Sequence, residues 1–223
     1  VSEDALRKNI IEPFDPDKHD RAAFSCGVEQ VDNFFRKTAN KLAKADNARV
    51  YVMAAPDGTV IGFYSLNAHA VDYQDLPKKY ARTRPVHGSI PAAFLSMIGV
   101  DRRYAGQGFG GDLLVDALLR VAQAAEQIEI AVVILERFPR KRDRFRDKNS
   151  LQNQYLEHIL VAKSEPDFAG YARDMLDDGN PELVERRTKL YAGYGFQPLP
   201  SNPLRMFLPV ATVRELLADD EGS

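Results

Sequence analysis

Residues 102 to 111 read RRYAGQGFGG, with an apolar run, AAFLSMIGV, before them and a helical pattern, GDLLVDALLRVAQAAEQ, after them. Glycine costs roughly 1 kcal/mol against alanine in a helix interior, so Gly106, Gly108, Gly110 and Gly111 at a helix start call for a compensating role. Between a strand and a helix, small residues let the backbone approach a phosphate, and the free N–H groups and dipole of the helix start favour its charge. A pyrophosphate fits there; a glycine-rich turn with no ligand is the plainer alternative. A Walker A loop is excluded, because Gly111 is followed by Asp112 and Leu113 rather than by Lys and Ser or Thr. A dinucleotide fingerprint is disfavoured, because the spacing is GxGxGG and the loop follows an antiparallel hairpin rather than opening a first βαβ unit.

The helix after the loop places Leu113, Leu114, Ala117, Leu118, Val121 and Ala122 on its inner side. Upstream, ARVYVMAAPDGTVIGFYSLNAHAV reads as two antiparallel strands turning at Pro56-Asp57-Gly58. Before that, VEQVDNFFRKTANKLAKA places Val28, Val31, Phe34, Phe35 and Leu42 near one helical face. Downstream come a strand, IEIAVVIL, a charged and mainly polar stretch to Pro181, a helix in ELVERRTKLYAGYGF, a strand in RMFLPV and a short helix in TVRELLADDEGS with a frayed tail.

The chain has 223 residues and 44% hydrophobic content, enough to bury a real core in one elaborated domain over 1–223. A net charge of −2 advertises no global affinity for nucleic acid. Cys26 is the only cysteine, which rules out an intrachain disulfide and fits a reducing compartment. Beside glycine it reads as buried filling rather than as a nucleophile, since no histidine pairs with it in a recognisable pattern. There is no apolar run of membrane length, and VSEDALRKN is too charged for the apolar core of a signal peptide, so a soluble, cytoplasmic protein with no membrane contact is expected. The four histidines lie far apart and none has a short ligand spacing, so no metal is expected.

With these residues in view, the chain resembles the GNAT acyltransferase superfamily, whose pyrophosphate loop is Arg or Gln, two residues, Gly, one residue, then Gly or Ala; Arg103-Tyr104-Ala105-Gly106-Gln107-Gly108 fits it. FSCGVEQVDNFF, LSMIGVD, LYAGYGF and RMFLPV occur in the family's order and extend the resemblance over residues 14 to 210. The fold it implies is α/β (α+β): a mixed, mainly antiparallel sheet with helices on both faces and a V-shaped split between two central strands. It further implies acetyl-CoA as cosubstrate, its pantetheine arm on backbone groups of Ile98, Gly99 and Val100 and its pyrophosphate on amides of Gln107, Gly108, Phe109, Gly110 and Gly111, with Arg103 and Gly106 completing the loop. An exposed strand end supplies the N–H and C=O groups that could pair with an amide-bearing arm. Gly99 is expected to keep that path open, its alternative being a bulge without ligand contact.

Acetyl transfer needs a neutral amine, a polarised thioester carbonyl and a proton for the departing thiolate. The resemblance implies Tyr191 as the general acid; a phenol with an ordinary pKa near 10 is protonated at pH 7 and can serve that way. Tyr194, three residues on, is the competing choice, and both could simply pack. His69, His87 and His158 could each accept a proton, yet none is marked out as a base, and water or an amine already neutral would suffice.

FSCG with its following helix, and a hairpin ending GFYSLNAHAV, look most like the toxin-like GNAT enzymes of toxin–antitoxin pairs, which implies the amino group of aminoacyl-tRNA as acceptor and an antitoxin partner. A small-molecule or protein amine is the alternative acceptor, and a non-catalytic acyl-CoA-binding module or a nucleic-acid-binding protein the alternative classes. A homodimer is a further candidate assembly. The chain departs from the compact pattern by a charged, mainly helical insertion at 137–182, and by Met97 where a basic residue is usual. In residues 137–148, Arg137, Arg140, Lys141, Arg142, Arg144, Arg146 and Lys148 outnumber Asp143 and Asp147, and Phe138 and Phe145 could stack on bases. A solvated arm with internal ion pairs is the other reading of that segment.

Overall fold

Alternating apolar residues on either side of Pro56-Asp57-Gly58 make the expected hairpin. In the computed structural model, which describes residues 10–77, 80, 88–136, 181–202 and 205–220, β2 (Arg49–Ala54) runs antiparallel to β3 (Val60–Asp72). Gly58 turns with φ +83°, and the Thr59 amide donates to Asp57 Oδ1 at 2.9 Å. β4 (Ser89–Val100) pairs antiparallel with β3 on one side and parallel with β5 (Val132–Glu136) on the other. β7 (Arg205–Pro209) follows β5 antiparallel, and β6 (Gln197–Pro198) closes that edge. At the far edge, β1 (Ile11–Pro13) lies along β2, so the order among the described residues is β1-β2-β3-β4-β5-β7-β6. β1 and β6 were not foreseen; three and two residues are too few to show a period.

Alternation along the strands gives each face its own core. Ile61, Tyr64, Leu95, Val133 and Leu135 pack on one face under α3 (Phe109–Gln127), which buries Leu113, Leu114, Ala117, Leu118, Val121 and Ala122 as the periodicity requires. α4 (Pro181–Gly193) and α5 (Val210–Asp220) send Tyr191 and Val213 into the same core. On the other face Val50, Val52, Val60 and Phe63 meet Phe24, Val28, Val31 and Phe35. β5 is buried on both faces, with Val132 and Ile134 turned away from Val133 and Leu135.

The first helical segment departs from the single helix expected. It consists of α1 (Glu29–Asn33), a π-helical turn over Phe34–Thr38 and α2 (Ala39–Lys44). The wider turn lets two consecutive rings reach one partner: Phe34 and Phe35 both stack on Phe63, with centroids 6.0 and 4.2 Å away. The insertion expected at 137–182 and its basic segment lie outside the described residues up to position 180, as do His87 and His158.

Candidate active site

β4 and β5 pair only from Ala92↔Val132 to Leu95↔Leu135, while β4 continues to Val100. Beyond Leu95, β5 instead keeps pairing with β7, through Glu136↔Arg205. The two central strands therefore part at Leu95, which is the V-shaped split expected from the sequence. A slip in the β3–β4 register marks the same point: Ser65 faces Met97 and Leu66 faces Leu95, leaving Ser96 as the extra residue of a bulge. The bulge reverses the alternation of β4, so that Leu95 and Ile98 join the α3 face while Met97 turns to the α1 face.

Register also decides which backbone groups the split exposes. The Asp101 amide donates to the Ile61 carbonyl at 2.8 Å, and residues bond their opposite number at every second position of an antiparallel ladder. Gly99 therefore bonds Phe63, whereas Ile98 and Val100, opposite Tyr64 and Gly62, turn their N–H and C=O groups toward the side that β5 has left. Gly99 has a packing reason to be glycine: a Cβ there would lie 3.0 Å from Val31 Cγ1 and 3.3 Å from Cys26 Sγ, so its absence lets α1 approach β4.

The four loop glycines divide into two pairs. Gly106 and Gly108 have φ of +82° and +91°, where other residues are strained, and a Cβ on either would meet nothing within 4 Å. Gly110 and Gly111 lie inside α3, where a Cβ at 111 would stand 3.1 Å from Tyr194 Oη and one at 110 would be 3.9 Å from Leu190 and Val100. The first pair shapes the loop; of the second, Gly111 lets the helix start close onto Tyr194, while a Cβ at 110 would meet only ordinary contacts. Among the described residues no backbone carbonyl takes the amides of Gln107, Gly108, Phe109 or Gly110. The Gly111 amide does have one: it donates to the Gly108 carbonyl at 2.8 Å. Four amides without a backbone partner at the start of a helix fit a pyrophosphate.

Arg103 stands beside this loop with its guanidinium on Asp101, Nε to Oδ1 at 2.8 Å and Nη2 to Oδ2 at 3.0 Å. Asp101 is buried and also accepts from the Ser25 amide at 3.0 Å. Burial alone would raise its pKa, but the bonds from Arg103 and Ser25 outweigh that and hold the carboxyl below its ordinary value. The pair ties the loop to the segment preceding α1. Within that segment Asp32, buried in α1, accepts from the Cys26 amide at 2.7 Å and the Ser25 hydroxyl at 2.8 Å. Burial pushes the Cys26 thiol up to about 12, which leaves it protonated and unreactive.

Tyr191 reaches the split from α4. A small cavity there is lined by Leu95, Ser96, Ile98, Glu136, Arg187 and Tyr191. Burial raises the Tyr191 pKa, with the Arg187 charge acting against it, so the phenol holds its proton at neutral pH. Tyr194 is instead turned toward the start of α3 at Gly111. The cavity thus separates two tyrosines that the sequence left in competition. A larger groove opens on the α1 side, where Phe34, Lys37, Asn67, His69 and Phe94 line its wall, and Ser96, Met97 and Glu136 belong to both spaces. His69 lies 5.3 Å from the Phe94 ring, and burial, followed by the Arg205 charge, lowers its pKa against the opposing pull of Glu136. Glu136 itself holds Arg205 at 3.0 Å.

Sequence reasoning missed Ser96, Asn67, Glu136 and Arg187 as neighbours of the site. Only Arg187 carried a local signal, its i, i+4 spacing from Tyr191 on one helix face. Among the described residues no group of three or more His, Cys, Asp or Glu could hold a metal ion, and no helix is long and apolar enough to cross a membrane.

No protein-family model matches the chain. A probable toxin, TacT, from Sinorhizobium fredii is 54% identical over 211 residues, spanning 94% of this chain and 96% of its own length. A tRNA-acetylating toxin from Mycobacterium tuberculosis is 34% identical over 119 residues, 53% of this chain and 70% of the toxin. Among solved structures, AtaT complexed with acetyl-methionyl-tRNAfMet matches with a TM-score of 0.62 at 20% identity, over 93% of this chain and 98% of that one. The split sheet, the glycine-rich helix start and these relatives agree, and the chain belongs to the toxin-like GNAT acetyltransferases.

Proposed function

We propose that this protein transfers the acetyl group of acetyl-CoA to the α-amino group of aminoacyl-tRNA in the cytoplasm, as a toxin restrained by an antitoxin. The observation that carries the transfer reading is the convergence on one split of an unpaired strand edge, four free amides and a buried, protonated tyrosine. Backbone groups of Ile98 and Val100 would take the pantetheine arm as a neighbouring strand would. Amides of Gln107, Gly108, Phe109 and Gly110, on a loop shaped by Gly106 and held by Arg103, would take the pyrophosphate. The acceptor and the antitoxin rest on the relatives, one a tRNA-acetylating toxin and one a probable toxin matched over nearly its whole length.

Bound acetyl-CoA supplies a thioester carbonyl carbon. The amine nitrogen forms a bond to that carbon, the carbon–sulfur bond breaks, the Tyr191 phenol gives its proton to the departing sulfur, the amine's surplus proton leaves to water, and the phenolate takes one back from water. Burial keeps the phenol protonated until negative charge develops on the sulfur beside it. The chain acts as one domain over 1–223, with the insertion at 137–182 as an elaboration whose basic segment 137–148 contributes to holding the tRNA.

Labelled acetyl-CoA incubated with charged tRNA, beside polyamines and a peptide mixture, tests the reading. Label on the aminoacyl group, lost in Tyr191→Phe, is the expected result. Label confined to small amines or peptides overturns the acceptor, and acetyl-CoA binding with no transfer overturns the activity.

A further inference from the structure

Resting on this acetyltransfer reading, we infer that Ser96 receives the N–H of the attacking amine, and that a one-way hydrogen-bond chain through Ser65, Ser96, Asn67 and Asn47 makes its oxygen an acceptor there. The direction of the chain is set from its far end. The Asn47 backbone carbonyl can only accept, so the group that Asn67 presents to it is the Nδ2 donor. Asn67 Oδ1 therefore faces Ser96, 2.7 Å from its Oγ, and takes the only hydroxyl proton Ser96 has. The 2.7 Å contact between the Ser65 and Ser96 hydroxyls is then donated by Ser65, since Ser96 has no second proton to give. A hydroxyl oxygen has two acceptor sites. Ser65 occupies one, and the other belongs to a residue that lines both the cavity with Tyr191 and the groove with Phe94 and His69.

This polarity matters to the chemistry. A neutral amine has one lone pair, and attack on the thioester uses it. A freely rotating hydroxyl would donate to that lone pair and occupy it; a hydroxyl whose proton is committed to Asn67 can only accept an N–H, leaving the lone pair free. The bulge puts the residue where it is needed, because Ser96 is the extra position at the point where β4 leaves β5. Ser65, with no exposed surface, anchors the chain beneath it. Ser96 would touch the acceptor, whereas Ser65 and Asn67 act through it and are positioning residues.

The test compares wild type with Ser96→Ala, Ser96→Thr, Asn67→Ala and Ser65→Ala, reading kcat and KM for total charged tRNA with labelled acetyl-CoA, together with acetyl-CoA affinity. Ser96→Ala is expected to lower kcat/KM for charged tRNA about 10-fold at unchanged acetyl-CoA affinity, the scale of one hydrogen bond. Ser96→Thr, which keeps the hydroxyl, is expected to stay within about 3-fold of wild type. Asn67→Ala releases the Ser96 proton and is expected to cost about as much as Ser96→Ala, whereas Ser65→Ala leaves that proton committed and is expected to cost less than about 3-fold. A chain that merely holds the bulge predicts the opposite order, since Ser65 is the more deeply buried. Ser65→Ala as damaging as Asn67→Ala, or Ser96→Ala at wild-type rate, overturns the inference while leaving acetyl transfer standing. If Ser96→Ala fails to fold, the order of Asn67→Ala and Ser65→Ala still decides. Wild type that binds acetyl-CoA and labels no amine overturns the activity, and this inference with it.

Discussion

β4 leads two lives along one strand. From Ala92 to Leu95 it is enclosed between β3 and β5, and its neighbours Val132 to Leu135 are buried on both faces; from Ser96 to Val100 it keeps β3 but has no β5 beside it. Both halves are apolar in composition, and both are well bonded on the β3 side. What separates them is the free edge, and with it the direction in which Ile98 and Val100 turn their peptide groups. The enclosed half holds the sheet together, while the open half leaves the peptide groups of Ile98 and Val100 without a neighbouring strand.

Substitutions on the two sides of Leu95 are expected to fail in different ways. Tyr191→Phe, at the open end, should lower kcat by about 100-fold or more at unchanged acetyl-CoA affinity, the scale on which a positioned proton donor acts. Steady-state kinetics beside a binding isotherm check this, and an unchanged kcat removes Tyr191 as the acid. Ile134→Ala, in the enclosed half, should cost about 2–5 kcal/mol of stability, because the residue is fully buried in a well-packed strand. Denaturant unfolding reads it, with kcat per folded molecule retained; a matching fall in kcat would erase the distinction between the halves.

Gly108→Glu reaches the open half through its loop, forcing a side chain onto φ +91° and a carboxylate beside the free amides. Acetyl-CoA affinity should fall about 100-fold, a cost of about 2.7 kcal/mol, beside a loss of stability of about 1–3 kcal/mol from the strained φ. The smallest effect belongs to His69, on the groove side. Burial, aided by Arg205, holds its imidazole below the ordinary value of 6.5, so on acidification the unfolded chain takes up this proton first. The folded state has its full advantage above about pH 6.5 and loses it as the pH falls through the lowered value. His69→Gln should therefore flatten the acid-side fall in melting temperature; an unchanged slope would show that His69 is not responsible for it.

Several of these features were legible in the linear chain because they are local. A helical period placed all six inner residues of α3, and a proline, an aspartate and a glycine announced the hairpin. The glycine loop between strand and helix pointed to a phosphate site, although the reason divides: Gly106 and Gly108 answer to backbone conformation, and Gly111 to the packing of α3 against Tyr194. The acceptor side was illegible for the same kind of reason. Ser96, Asn67, Glu136 and Arg187 come from β4, β3, β5 and α4, and nothing in their spacing says that they meet. The π turn in the first helix escaped too, because two adjacent phenylalanines look alike in any helical period until Phe63 is seen to take both.

Period and turn chemistry determine the helices, the hairpin and a glycine-rich helix start suited to an anion, since each depends on residues close together in the chain, whereas the split sheet was implied only by the resemblance that the order of motifs carries. Tertiary structure alone decides where the split begins, which peptide groups it frees and which tyrosine reaches it. Those outcomes depend on register: the extra residue at Ser96 reverses the alternation of β4, and the continued pairing of Glu136 with Arg205 draws β5 away from it, through partners 31 and 69 positions apart in the sequence.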